Sequence, residues 1–326
     1  MIIKDFLKNS KLTRSAYFFL KQKKINRLYK SKINSEYTFI NRSANKEKMC
    51  IILAGYKEFL YEAIFTRIKN FSESDIDFCV VSSGKYSEEL SIICKANNWS
   101  YLSTKKNNVS LVQNLAIHLH PSAKYIYKLD EDIFITKNYF STMFDTLQKV
   151  ESEGDYNIGF VAPLILINGY STLTILKKLN LRKEYEQRFG KLYHAHGDNQ
   201  MIQSNPHAAE FMWGANNIVP HIDEINEKFQ SEKFSYSACP VRFSIGAILF
   251  RREVWEDMGM FTVHKKSNDM GSDEAELCNI TMSDSKGIIV CENSVVGHLS
   301  FGKQNGEMKE FFFSHPERFN IQDIEK

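Results

Sequence analysis

From residue 49 to about residue 151, short apolar runs alternate with longer stretches in which apolar residues recur every three or four positions. Short apolar runs predict buried strands, whereas the longer spacing predicts the buried face of a helix. The predicted strands are Met49–Ala54, Phe78–Val81, Ser100–Thr104 and a run from Lys124 that ends at Asp130, and the predicted helices are Glu58–Asn70, Ser87–Asn97, Ser110–His120 and Asn138–Glu151. Repeated β-α units of this length imply an α/β fold with a parallel sheet and helices on both faces.

The pattern of the second half is less regular and ends in strands again. An apolar strand leading into a short helix is predicted within Arg242–Trp255. Gly246 falls inside this strand pattern, which indicates either a close approach of the backbone to another group or a β-bulge. Asn268–Glu274 predicts a loop running into a helix, where an acidic residue could simply be the N-cap. A short strand at 288–290 and a last one ending at His298 follow.

A polar loop interrupts the second half. It contains His194–Gln200 and Asn205–His207 and is followed by Trp213. The histidine spacing matches no standard zinc pattern. We interpret the loop as a substrate-facing surface, because sugars pack on aromatic rings and bond polar groups. An ordinary surface insertion is the alternative.

Three consecutive acids, Asp130-Glu131-Asp132, stand where a predicted strand ends. Carboxylates held close together repel each other, and a divalent cation would neutralise them. Oxygen ligands suit Mg²⁺ or Mn²⁺, which keep open positions for phosphate oxygens. Gly55 and Ser82–Gly84 also follow predicted strands, so they belong to the same edge of the sheet, where ligands bind in such folds. The alternative is a pair of acids that ends a strand and caps the next helix.

Composition is that of an ordinary globular protein, with 326 residues of which 43% are hydrophobic. No apolar run reaches the length of a membrane-spanning helix, and the N-terminus lacks the core of a signal peptide. Six scattered cysteines without a Cys-x-x-Cys pair favour reduced thiols. We therefore expect a cytoplasmic protein.

The net charge of +3 is unevenly distributed. Residues 1–48 contain 13 Lys and Arg against three acids, a local charge of +10, which leaves −7 for the remainder. Basic residues interleaved with aromatic clusters favour an anionic membrane surface as partner. An extension without any ligand is the alternative. We expect no nucleic acid, because no recognition motif is present and the main body is acidic.

Between residues 49 and 302, the order of these features resembles the GT-A glycosyltransferases, particularly family-2-like inverting enzymes. The resemblance is carried by Asp130-Glu-Asp132, the glycine strand around Gly246, the Ser272-Asp273-Glu274 start of a helix, and His298. It implies a GT-A, Rossmann-like mixed sheet with helices on both faces. The expected divisions are a basic extension (1–48), a catalytic domain (49–310) with nucleotide-binding (49–160) and acceptor-binding (161–310) halves, and a tail (311–326).

The resemblance also implies roles for individual residues. Metal ligands would be Asp130, Asp132 and His298, and the catalytic base would be Glu274 or Asp273. The usual order of this acidic motif is Glu then Asp, whereas here Asp273 precedes Glu274. By its position in the motif, Glu274 is the closer match to the family's base. Ser82 and Ser83 stand where many members have an Asp that contacts the nucleotide base. The implied contacts to the nucleotide sugar are Ala54, Gly55, Tyr56, Ser82, Ser83, Asn114, Lys128, Asp130, Glu131 and Gly246.

The expected function is therefore transfer of a sugar from a nucleotide-sugar donor to a glycan or lipid-linked acceptor, in surface polysaccharide synthesis, with Mn²⁺ or Mg²⁺ as cofactor. Binding of the basic extension to lipids would make the protein peripheral on the cytoplasmic face of a membrane. Two alternatives remain at this stage. One is a sugar nucleotidyltransferase, although no glycine-rich, basic phosphate loop follows the first strand. The other is a non-catalytic carbohydrate-binding protein on the same fold.

Overall fold

The computed structural model describes residues 23, 27, 29–194, 200–264 and 271–322. Most of the predicted basic extension, residues 195–199 of the polar loop and residues 268–270 of the loop before Ser272 lie outside the described residues. Within the described part, no helix is long and apolar enough to cross a membrane. All six cysteines are buried free thiols.

The chain alternates strands and helices throughout its described length. The strands are β1 (Tyr37–Ile40), β2 (Lys48–Leu53), β3 (Ile76–Ser83), β4 (Ser100–Thr104), β5 (Tyr125–Asp130), β6 (Ile133–Phe134), β7 (Ile158–Ile165), β8 (Tyr236–Ala238), β9 (Ala247–Arg251) and β10 (Gly287–His298). The α-helices are α1 (Tyr61–Phe71), α2 (Glu88–Asn97), α3 (Val109–Leu119), α4 (Tyr139–Glu153), α5 (Ser171–Lys178), α6 (Arg182–Phe189), α7 (Met201–Ser204), α8 (Pro206–Met212), α9 (Ile222–Gln230), α10 (Arg252–Asp257), α11 (Ser272–Ser283) and α12 (Asn305–Ser314). Short 3₁₀ turns occupy 58–60, 302–304 and 316–318.

The strands form one mixed sheet in the order β1-β4-β3-β2-β5-β9-β7-β10-β6, and β8 pairs with β10. β4, β3, β2 and β5 are parallel, in the order of a Rossmann-like unit. β9 runs antiparallel between β5 and β7, and β10 is parallel to β7. Every residue of β3 and β7 is buried, so both faces of the sheet are covered. The predicted mixed α/β fold is confirmed.

Strand register decides which side chains meet at the carboxyl edge. Leu53, the last residue of β2, lies opposite Val81 on one side and Asp130 on the other. Ala54 and Gly55 therefore leave the sheet at the same edge as Ser82 and Asp130. On the far side of β5, Leu129 pairs with Ala247, so the preceding Gly246 falls beside Asp130.

Three details differ from the expectations. β1 lies within the segment expected to be an extension, and it pairs antiparallel with β4 at the edge of the sheet. Gly246 precedes β9 instead of lying inside it. The two short strands expected near the C-terminus are one strand, β10, with an irregular register between Cys291 and Val295. The local apolar pattern predicts two strands because the irregularity interrupts the alternation of apolar residues along β10.

A buried arginine joins the two halves of the fold. Arg67 on α1 is 1% exposed and forms a bidentate ion pair with Asp223 on α9, with N···O distances of 2.8 and 3.0 Å. Its guanidinium also donates to the carbonyls of Ile135, Phe319 and Asn320. The segment following β6 and residues 319–320 after α12 are thereby tied to the same charge.

Candidate functional site

Asp130 and Gly246 are in direct backbone contact at the carboxyl edge of the sheet. The Asp130 amide donates to the Gly246 carbonyl over 2.8 Å. A Cβ placed on Gly246 would lie 3.0 Å from Ile133 Cδ1 and 3.4 Å from Asp130 Oδ2. The close approach indicated by this glycine is therefore an approach to the Asp130 carboxylate and to Ile133.

Lys128 is a buried cation on the same strand as Asp130. Its ammonium lies 2.6 Å from Asp130 Oδ1 and donates to the Ile245 carbonyl over 2.8 Å. Burial alone would lower the pKa of Lys128, but the charges of Asp130, Asp273 and Glu274 raise it overall. Lys128 is thus a fixed positive charge that offsets the acids around it, and only 3% of its side chain is exposed.

The Asp130 carboxyl group is partly accessible. Burial raises the pKa of Asp130 to about 6, Lys128 opposes this shift, and the charge of Asp132 adds to it. About a third of the side chain is exposed, and the Lys128 ammonium is in contact. The Lys128 ammonium binds one oxygen of Asp130, and the second oxygen lies towards Gly246.

Asp132 is buried and contacts two groups that can carry positive charge. The Lys57 ammonium is hydrogen bonded to Asp132 Oδ2, and His298 Nε2 lies 3.4 Å from the same oxygen. Burial alone would raise the pKa of Asp132, but His298 and Lys57 hold it well below its usual range. The antiparallel pairing of His298 with Ile133 on β6 brings this histidine to Asp132.

Glu131, between the two aspartates, binds the backbone of the turn after β2. Its Oε2 accepts the backbone amides of Gly55 and Tyr56 at 2.7 and 3.0 Å. The Tyr56 hydroxyl donates to the Ser83 carbonyl over 2.6 Å, while more than half of its side chain is exposed. Glu131 consequently shapes the turn after β2, and that turn presents the Tyr56 ring at the edge of the site.

Ser82 and Ser83 lie at the predicted edge, but their hydroxyls are used within the protein. Ser82 donates to the Lys85 carbonyl and shares a hydrogen bond with Tyr101. Ser83 Oγ accepts the Asn108 amide over 2.6 Å. Ala54 is also buried, and its amide donates to Val81. These residues fix the loops around the site, and we expect any contact they make with a ligand to involve backbone atoms.

Asn114 does not lie at the site, which corrects the expectation that it contacts the nucleotide sugar. It is fully buried on α3. Its amide nitrogen donates to the carbonyls of Lys32 and Phe261, and its oxygen accepts from Trp255 Nε1 and the Phe261 amide. All of its hydrogen-bonding capacity is therefore satisfied by the protein.

The two candidate bases start helix α11 and have different partners. Glu274 accepts from Arg242 Nε over 2.6 Å and from the Ile245 amide over 3.3 Å. Asp273 accepts from Gln113 Nε2 over 2.9 Å. Asp273 also contributes to the pKa values of both Lys128 and Asp130. Asp273 therefore influences both Lys128 and Asp130, whereas Glu274 influences Lys128 and anchors the segment that carries Gly246.

Asp132 and His298 are the pair best arranged for a divalent cation. His298 Nδ1 donates to the Ile167 carbonyl over 3.1 Å, which leaves Nε2 as the nitrogen facing Asp132, as in metal-bound histidines. Across residues 23, 27, 29–194, 200–264 and 271–322, no three His, Cys, Asp or Glu side chains converge on one metal position. Asp130 is engaged by Lys128 instead. The residues fit a cation with two protein ligands and further oxygens from phosphate or water.

Three residues of the site were not found from the sequence: Lys57, Gln113 and Arg242. Lys57 comes two positions after Gly55, which follows the first predicted strand. A basic residue close to that strand end was the signal available in the sequence. Gln113 and Arg242 carry no such signal. They reach the site because α3 and the segment before β9 pack beside α11.

Trp213 is not the substrate-facing ring that the sequence indicated. It is 3% exposed, its ring packs on Phe134 and Phe319, and its Nε1 donates to the His298 carbonyl. A Cβ on Gly297 would lie 2.4 Å from the Trp213 ring, so the glycine makes room for it. Trp213 thus supports the strand end that carries His298.

Comparisons with known proteins find no matching family model and no matching curated protein. Among solved structures, a mannosyltransferase from Pyrobaculum calidifontis in complex with GDP-Man and Mn²⁺ is similar over 91% of this chain and 68% of its own, with a TM-score of 0.43 and 12% identity. A mycobacterial protein is similar over 92% of this chain and 80% of its own, with a TM-score of 0.40 and 11% identity. With TM-scores below 0.5, these likenesses carry no argument about this chain.

Proposed function

We propose that the protein is a glycosyltransferase of the GT-A type that uses a nucleotide-sugar donor. The observation that carries the proposal is the convergence of four separate motifs at one edge of the sheet. Asp130 contacts both Lys128 and the backbone of Gly246, the charge of Asp273 raises the pKa of Lys128, and His298 contacts Asp132. Ligands of open α/β sheets bind at this edge.

In this proposal the donor diphosphate lies between the turn after β2 and Asp132. Asp132 and His298 would hold a divalent cation, which would supply positive charge at the leaving phosphate. The exposed Tyr56 ring and the backbone of Gly55 border the same space. Lys128 offsets the negative charge of Asp130 without taking part in the transfer itself.

The transfer breaks the bond between the anomeric carbon and the phosphate oxygen, whose electron pair leaves with the nucleoside diphosphate. A bond forms between the anomeric carbon and the acceptor oxygen, and the acceptor proton passes to a carboxylate. Glu274 matches the base by its position in the motif. The contacts favour Asp273, because both Glu274 oxygens accept from Arg242 and Ile245, whereas Asp273 accepts from the neutral side chain of Gln113. Attack from the face opposite the leaving group gives inversion.

The acceptor in this proposal is a glycan or lipid-linked intermediate of surface polysaccharide synthesis. The support is the charge of +10 over residues 1–48, which suits an anionic membrane surface. The protein would then act in the cytoplasm, at the membrane surface.

A thermal-shift screen of UDP- and GDP-sugars with and without MnCl₂ tests the donor, followed by measurement of nucleoside diphosphate release. A ligand that binds only the folded state raises the unfolding temperature. Asp132→Asn should abolish release, because it removes charge without changing shape, while Asp75→Asn, an exposed aspartate paired with Lys48, should have no effect. Full activity in excess chelator, or a normal Asp132→Asn variant, would refute the metal assignment. The absence of any stabilising nucleotide sugar would refute the function.

A further inference from the structure

Lys57 forms an ion pair with Asp132 in this structure. Its ammonium is hydrogen bonded to Asp132 Oδ2 and lies 3.4 Å from Asn305 Oδ1 at the start of α12. The Asp132 side chain is only 8% exposed, so its charge depends on neighbouring positive groups. The two residues are 75 positions apart and meet only because β2 and β5 are adjacent strands.

The Asp132 oxygen that binds Lys57 is the same oxygen that faces His298 Nε2. A divalent cation bound to this oxygen and to His298 would therefore lie within a few ångströms of the lysine ammonium. Like charges so close repel unless an additional anion lies between them. A metal ion and Lys57 are thus competitors for Asp132 when no phosphate is present.

Lys57 differs from Lys128 in its freedom to move. Lys128 is 3% exposed and is held by both a carboxylate and a backbone carbonyl. Lys57 is 21% exposed and stands in the turn between β2 and the 3₁₀ turn at 58–60. Its four-carbon side chain can therefore leave Asp132 while the backbone stays in place.

We infer that Lys57 is an exchangeable counter-ion: it occupies Asp132 in the free protein and transfers to the diphosphate when metal and nucleotide bind together. The second half of this inference rests on the proposed function, since it requires a diphosphate ligand. The exchange predicts that metal alone binds weakly and that nucleotide and metal bind cooperatively, because the diphosphate gives the displaced ammonium a new partner.

The test is Mn²⁺ binding to the full chain, measured by the loss of the free Mn²⁺ EPR signal, with and without UDP or GDP. Lys57→Met keeps the length of the side chain and removes its charge. It should bind Mn²⁺ alone at least about tenfold more tightly than the unaltered protein. In the presence of Mn²⁺, it should bind the nucleoside diphosphate at least about tenfold more weakly. Lys57→Arg should keep the weak binding of Mn²⁺ alone.

Lys105→Met is the matched control, because Lys105 is an exposed lysine paired with Glu36 outside the site, and it should leave both affinities unchanged. Equal Mn²⁺ affinity in Lys57→Met and the unaltered protein, or no Mn²⁺ binding to Lys57→Met at millimolar concentration, would overturn the competition. Tighter Mn²⁺ binding with unchanged nucleotide affinity would overturn the transfer to phosphate. Failure of both UDP and GDP to bind any variant, with the Mn²⁺ difference present, would count against transfer and the proposed function but leave the competition standing. Circular dichroism melting of each variant verifies that it is folded.

Discussion

Replacing Asp223 by asparagine should destabilise the protein more than any other conservative change we propose. Asp223 accepts two hydrogen bonds from Arg67 and one from the Gln322 amide. Asparagine keeps the size but substitutes an NH₂ group for one of the oxygens. One nitrogen of Arg67 then faces another donor, and the buried guanidinium is left with neutral acceptors and no counter-charge.

Breaking a buried ion pair from one side costs about 3–5 kcal/mol, because the remaining charge cannot be resolvated. Arg67 is 1% exposed, so no discount for solvent screening applies. A chain of this size changes its unfolding temperature by roughly 2 °C per kcal/mol, the lower end of the range for large domains. We therefore expect the unfolding temperature to fall by about 6–10 °C.

Differential scanning fluorimetry and urea unfolding of both proteins measure this change. Asp145→Asn, which alters an exposed aspartate on α4, is the matched control and should shift the unfolding temperature by less than about 1 °C. The Asp223 carboxylate is not part of the candidate site, so ligand affinity measured well below the transition should stay the same. A loss of less than about 1 kcal/mol would refute the view that this pair joins the two halves of the fold.

Three further predictions concern the base, the basic extension and the pH dependence of stability. Asp273→Asn should lower kcat more than Glu274→Gln in a nucleoside diphosphate release assay. Donor affinity should be unchanged, because a base acts mainly in the transition state. The reverse ranking would assign the base to Glu274. Removal of residues 1–48 would also remove β1, so the basic extension is better tested by deleting residues 1–28. This deletion should abolish salt-sensitive binding to anionic vesicles in a sedimentation assay. Equal binding by the full-length and truncated proteins would exclude the basic extension as the membrane contact. Burial lowers the pKa of His221 to about 4, against the opposing charge of Asp223. Between about pH 6.5 and 4, the unfolded chain therefore binds more protons than the folded protein. The stability contributed by this neutral histidine is lost as pH falls through that range. His221→Asn keeps a helix-capping side chain on α9 and should show a shallower loss of unfolding free energy from pH 6.5 to 4.5 in urea titrations; an identical loss would contradict a buried neutral histidine.

The positions of the main elements follow from the sequence alone, because hydrophobic periodicity is a local property. β2, β4 and β5 and helices α2, α3 and α4 were predicted to within a few residues. The acids at the end of β5 and Gly55 after β2 were placed at the correct edge, since parallel strands joined by helices end on the same side. Part of the candidate site is therefore encoded in which residues follow each strand.

Strand order and packing decided the rest. Lys57 contacts Asp132 because β2 lies beside β5, and His298 joins them because β10 pairs with β6. No local pattern carries this information, since it depends on contacts between residues far apart in sequence. Packing also decided that Asn114 is a buried structural residue and not a ligand contact. Its side chain is hydrogen bonded to Phe261 and Trp255, which approach it only in the folded protein. Sequence thus determined which groups stand at strand ends, and the tertiary structure determined which of them touch and which remain accessible.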